Sequence, residues 1–99
     1  MHLLDRIMEN KSEIIEIFSK YNASNIVLIG SVSQRKEGEK SDIDFVANLK
    51  RFNNGQIDFN AYLALKNELL KYFNRKIDLA DHTQIEEQYP NALRNGIRI

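Results

Sequence analysis

The 99-residue chain is long enough for one small domain, taken as residues 1–99, and its 42% hydrophobic and 28% charged content is that of a folded soluble protein, not a disordered one. Fourteen Lys and Arg balance fourteen Asp and Glu, which argues against a general nucleic-acid binder, and the lack of cysteine excludes disulfide scaffolds and thiolate zinc sites. The longest strongly apolar run, Ile26-Val27-Leu28-Ile29, is far short of the roughly 20 residues that span a bilayer, and the chain starts without a signal-peptide pattern, so no membrane contact and a cytoplasmic location are expected.

The first twenty residues read as helix, with Leu4, Ile7, Met8, Ile14, Ile15 and Phe18 on one face and Lys11 interrupting it. Asn10 followed by Glu13 resembles a capping box, which leaves open two helices meeting near residue 10 or one bent helix. Asn25 to Ile29 is a β-branched run ending at Gly30, the pattern of a strand buried on both faces. Residues 30–41 are polar, with Gly30 and Gly38 and a short helical turn beginning around Val32. Residues 42–49 then alternate, placing Ile43 and Phe45 on one face and Asp42 and Asp44 on the other. Arg51 to Gln56 is a loop turning at Asn53-Asn54-Gly55.

A second long helix carries Phe59, Tyr62, Leu63, Leu69, Leu70 and Phe73 on one face, with the stem of Lys66 between them. A strand follows at Lys76 to Ala80, with Asp78 opposite Ile77 and Leu79. Thr83 with Glu86 suggests a capping box opening a short helix that Pro90 ends or restarts. Ile97-Arg98-Ile99 alternates like a half-buried strand, which either packs on this domain's own sheet edge or, the favoured expectation, meets another chain. Strand, helix, strand over 42–80 is long enough for a parallel crossover, and the glycine-led loop before it suits antiparallel pairing. The expected fold is α+β (α/β-like): a small mixed β-sheet with flanking helices.

Three carboxylates share one logic. Asp42 and Asp44 leave the same strand face, and Asp78 occupies a similar level of a strand expected to run parallel nearby. Three clustered carboxylates repel unless a cation lies among them, and magnesium, a hard ion that prefers oxygen ligands, suits them. Beside them, Gly30 would let a phosphate approach the backbone, and Ser31 with the following amides could donate to it. Each feature has an ordinary explanation alone: a solvated strand face, a turn, a surface aspartate. Their conjunction is what points to a site.

Gly30-Ser31, then Ser41-Asp42-Ile43-Asp44-Phe45 with Asp42 twelve positions beyond Gly30, then Lys76-Ile77-Asp78-Leu79 after a helix, resembles the signature of the DNA polymerase β-like nucleotidyltransferase superfamily. The short chain and leading helix are similar to its minimal nucleotidyltransferase (MNT) members, over roughly residues 10–85. The resemblance implies the nucleotidyltransferase fold and transfer of a nucleoside monophosphate, AMP from ATP, to a partner protein. It implies that Gly30 and Ser31 hold the triphosphate, with Arg35 and Ser41 counted beside them. It also implies that Asp42 and Asp44 bind two magnesium ions, with Asp78 holding one of these and serving as candidate base. The implied partner is a HEPN-type toxin, with this chain as antitoxin of the pair and a homodimer as fallback. The alternative is a weakly active or inactive antitoxin that works by occlusion. A departure bears on that alternative: where the family often has Ala-Arg-Gly, this chain has Ser33-Gln34-Arg35, with the arginine displaced and the glycine gone.

Overall fold

The computed structural model describes residues 2–36, 38 and 41–99; of the expected polar loop over 30–41, Glu37, Glu39 and Lys40 lie outside the described residues. Two helices open the chain, α1 (Leu3–Glu9) and α2 (Lys11–Lys20), and they break at Asn10. The break is not a capping box. The Asn10 amide donates back to the Arg6 carbonyl at 2.8 Å, and no side chain caps α2.

Four strands, β1 (Ser24–Ile29), β2 (Ile43–Asn48), β3 (Ile77–Asp81) and β4 (Ile97–Arg98), form one sheet in the order β3-β2-β1-β4. β1 pairs antiparallel with β2 and β4, while β2 and β3 are parallel, so the mixed sheet read from the sequence is present. A short helix, α3 (Gly30–Ser33), follows β1 directly, and α4 (Phe59–Phe73) joins β2 to β3. Asp58 caps α4 by accepting from the Ala61 amide, and Asn74 ends it in the left-handed region.

Strand alternation divides the sheet into two unlike faces. Leu28, Ile43, Phe45, Ala47, Ile77 and Leu79 belong to the main core, with Ile7, Ile14, Phe18, Leu65 and Leu69 supplied by the helices. Phe45 meets Phe18 edge-on at 5.4 Å between ring centroids, and such aromatic pairs add to simple area burial. On the other face Val27 and Val46 pack with Ile85, Ala92 and Leu93 of α5 (His82–Gln88) and α6 (Pro90–Arg94).

Three further expectations need correction. The apolar arc of α4 is wider than the face it buries: Leu65 and Leu69 are in the core, whereas Phe59, Leu63 and Leu70 are 62%, 40% and 44% exposed. The helix meets the sheet along one edge of its apolar stripe. Next, α5 is capped by Asp81, which accepts from the Thr83 amide, and not by Thr83; Pro90 then restarts the chain as α6. Finally, the terminal strand lies on the domain's own sheet edge. Ile97 pairs with Leu28 and Arg98 with Val27, and the Ile99 amide donates to the Ile26 carbonyl at 3.0 Å.

Closing this edge demands glycine at residue 96. A Cβ there would lie 2.5 Å from Val27 Cγ1 and 3.0 Å from the Leu28 carbonyl oxygen. Gly96→Ala is therefore expected to destabilise the fold by about 1–3 kcal/mol, the range for overpacking, read as a lower denaturant midpoint at unchanged slope.

Candidate functional site

The register of the sheet builds the site. On the face covered by α5 and α6, one cross-strand row is Val27, Val46 and Ala80, and the next is Ile29, Asp44 and Asp78. The first row is apolar and packs with Ile85; the second presents two carboxylates side by side. Asp42 precedes β2 on the same face, with its side chain 3.6 Å from Lys76 Nζ. A cavity of about 180 Å³ opens at the second row, lined by Asp44 and Asp78 with an apolar floor that includes Ile29, Ala80 and Ile85. A larger hollow of about 480 Å³ lies by the start of β1, and its described lining holds no Asp or Glu side chain.

Gly30 brings the loop against these carboxylates. Its φ of +76° belongs to the left-handed region, and an added Cβ would collide with the Asp44 carboxylate, 3.1 Å from its Cγ. The loop is held from within: Ser33 Oγ donates to the Gly30 carbonyl at 2.6 Å, and the Lys36 amide donates to the Ser31 carbonyl at 2.8 Å. Ser31 is half-buried beside them.

Asp44 bears the electrostatic strain of the arrangement. Burial, then the charge of Asp78 and a hydrogen bond shared with it, then the charge of Asp42, push its pKa up to about 6. Among the described residues no three His, Asp or Glu side chains lie close enough together as placed to enclose an ion, because Asp42 leans toward Lys76 while Asp44 and Asp78 meet. The donor set nevertheless fits magnesium. It is all carboxylate oxygen, and among the described residues no cation compensates Asp44, whose ionised form a metal would restore.

Of the residues expected to form the site, Gly30, Asp44 and Asp78 come together, with Asp42 and Ser31 adjoining. Ser41 Oγ accepts from the Gly38 amide at 2.7 Å and so closes its own turn. Arg35 is turned to α1, where its guanidinium makes a bidentate pair with Asp5, at 2.9 and 2.8 Å. Sequence reasoning missed Lys76, although the two-residue strand period that groups Asp42 with Asp44 also sets Lys76 beside Asp78. It also missed the apolar floor, because Ile85 reaches the sheet only through the cap at Asp81.

A raised carboxylate pKa means that the folded state holds the proton more tightly than the unfolded chain. Stability is then full below the unfolded value and falls as pH rises through the folded value. In metal-free buffer Asp44→Asn is expected to be more stable than wild type above pH 6, by on the order of 1–2 kcal/mol after allowance for solvent screening. The gap should close toward pH 4. Chemical denaturation of both proteins across this range measures it.

The comparisons agree with this fold. The family model described as polymerase beta, nucleotidyltransferase matches residues 12–99. Comparison with curated protein sequences finds no match. Among solved structures, a protein described as a candidate minimal nucleotidyltransferase superimposes with a TM-score of 0.79 at 18% identity, over 97% of this chain and 95% of that one. A mutant of the toxin–antitoxin MntA-HpeT gives 0.72 at 21% identity, and a toxin–antitoxin with AMP-PNP gives 0.67 at 24%. Each of these two covers 90% of this chain and 71% of its own. These likenesses show a shared fold, and the family match over most of the sequence decides the rest: the chain belongs to the polymerase β-type nucleotidyltransferase family.

Proposed function

We propose that this protein is a magnesium-dependent minimal nucleotidyltransferase that moves AMP from ATP onto a hydroxyl of a partner protein, a HEPN-type toxin for which it is the antitoxin. The observation that carries the reading is the contact of Gly30 with Asp44: a glycine-led loop after β1 abuts the carboxylate row. Gly30 and Ser31 then receive the triphosphate, and Asp42, Asp44 and Asp78 hold magnesium. When bound, the metal neutralises phosphate charge and orients the attacking and leaving oxygens. Asp78, the most exposed of the three, accepts the proton of the acceptor hydroxyl. The acceptor oxygen bonds to the α-phosphorus, and the bond from that phosphorus to the bridging oxygen breaks, releasing pyrophosphate. The toxin–antitoxin with AMP-PNP, similar in fold, supports ATP as the donor.

The exposed stripe of α4 supports a partner surface. Phe59, Leu63 and Leu70 surround Lys66, which pairs with no carboxylate among the described residues. A twofold axis across this stripe would bring Lys66 toward its own copy. A different chain carrying a carboxylate therefore suits the face better than a homodimer. The second reading, an antitoxin that occludes its toxin without transferring AMP, is favoured by two ion pairs: Arg35 is engaged by Asp5 and Asp42 by Lys76.

Calorimetry with ATP and magnesium, followed by intact-mass measurement after incubation with the adjacent gene product, tests both readings. Wild type is expected to bind and to add an AMP unit to its partner, and Asp42→Asn/Asp44→Asn to do neither. Ser31→Ala should weaken binding by roughly 1.5–3 kcal/mol, the range for a hydrogen bond to a charged group. Leu63→Glu/Leu70→Glu should lose the partner and keep the nucleotide. Unchanged affinity in the double aspartate variant would remove the site, and a complex with no added mass would leave occlusion.

A further inference from the structure

The residues just before β3 hold the residues just before β2. Asn74 ends α4 with φ +51°, and Arg75 then projects its guanidinium across the gap between the two strand entrances. Arg75 Nη1 donates to the carbonyl of Gly38 at 3.2 Å and to that of Ser41 at 3.0 Å. Those two residues are also tied to each other, the Ser41 amide donating to the Gly38 carbonyl at 3.2 Å and the Gly38 amide to Ser41 Oγ at 2.7 Å. The first ladder bond comes next, from the Ile43 amide to the Lys76 carbonyl at 3.0 Å.

Asp42 falls between these two fastenings. It precedes the paired strand, so the sheet alone does not set the direction of its side chain. What fixes its backbone is the Ile43 bond on one side and the Arg75 clamp on the other. Arg75 forms no ion pair among the described residues, and its cation serves carbonyl acceptors. Charge-assisted hydrogen bonds of this kind are stronger than neutral ones and directional. Asp44, inside the ladder and flanked by Ile29 and Asp78, needs no such help.

We propose that Arg75 is a positioning residue for magnesium: through the Gly38 and Ser41 carbonyls it fixes the backbone from which Asp42 can turn toward Asp44 and Asp78, touching neither nucleotide nor metal. The inference rests on the nucleotidyltransferase reading above and adds to it a residue that acts only through Asp42. Groups that orient a metal ligand in this way commonly change metal affinity 10–100-fold when removed.

The test uses the whole chain. Magnesium is titrated at fixed ATP by calorimetry, ATP is titrated alone in chelator, and amide spectra are recorded without metal. Arg75→Ala is expected to raise the half-saturating magnesium concentration roughly 10-fold, to leave metal-free ATP binding unchanged, and to shift the Ser41 and Asp42 amide signals. Arg75→Lys, which keeps a cationic donor, should recover most of the loss, and Arg75→Ala should add nothing in an Asp42→Asn background. Weaker metal-free ATP binding would overturn the proposal by making Arg75 a phosphate ligand. A lower melting temperature with an unchanged magnesium titration would reduce it to a structural contact, and additive effects with Asp42→Asn would break the link to that residue. If Arg75→Ala does not fold, Arg75→Met retains the stem and is read by the same titrations. Should wild type bind no magnesium-ATP, the functional reading fails by itself, and unmoved Ser41 and Asp42 amide signals would still overturn the clamp.

Discussion

Repulsion among carboxylates on one face of a small sheet is the constraint around which this molecule is arranged. Asp44 occupies a central strand, where backbone pairing on both sides leaves its side chain no freedom to leave the row it shares with Asp78. Its neighbours on that face are apolar or acidic, and the backbone of Gly30 closes in on its carboxylate. Among the described residues no side chain offsets this charge as Lys76 offsets that of Asp42 or Arg51 that of Asp81. A proton partly does so below about pH 6, at the cost of the ionised form that a metal needs.

Asp81 shows what the same residue type does when it is fully satisfied. It is buried, yet the Leu49 and Thr83 amides, the Thr83 hydroxyl and the Arg51 guanidinium all donate to it. Its pKa is lowered, because these hydrogen bonds outweigh the burial that would raise it. Asp81 thereby fastens the end of β3 to the end of β2 and starts α5, which carries Ile85 to the sheet. Three residues earlier on the same strand, Asp78 faces a cleft with no such donors among the described residues. One strand thus holds a structural aspartate at one end and an aspartate facing the cleft at the other, and the difference lies wholly in what surrounds them.

Much of this was legible in the sequence because it depends on local rules. Strand alternation put Asp42 and Asp44 on one face, and a β-branched run closed by Gly30 marked β1 and the turn after it. What the sequence could not disclose is which part of an apolar pattern finds a partner. The stripe on α4 reads as one face from Phe59 to Phe73, yet only the Leu65 and Leu69 side of the helix reaches the sheet, which depends on how the helix crosses it. The end of the chain was ambiguous for the same reason: Ile97 and Ile99 needed an edge, and only the sheet order shows that β1 offers one. Arg75 was invisible because its acceptors are carbonyls, and any residue would supply those.

The departure at Ser33-Gln34-Arg35 takes on a physical meaning in this light. Arg35 stands where the resembled pattern has glycine, and its φ of +59° is the conformation a glycine would supply. Such a backbone strains a residue with a Cβ, by about 1–2 kcal/mol. The turn is nonetheless kept, with the Arg35 amide donating to the Val32 carbonyl at 3.1 Å, and the bidentate pair with Asp5 ties it to α1. The turn therefore keeps a glycine-type backbone and directs a cation toward the first helix. On the function proposed above, the loop leaves catalysis and occlusion to be separated by where its cation points and not by the backbone path. The loop could serve either, and the carboxylate row that it touches becomes the feature that favours chemistry.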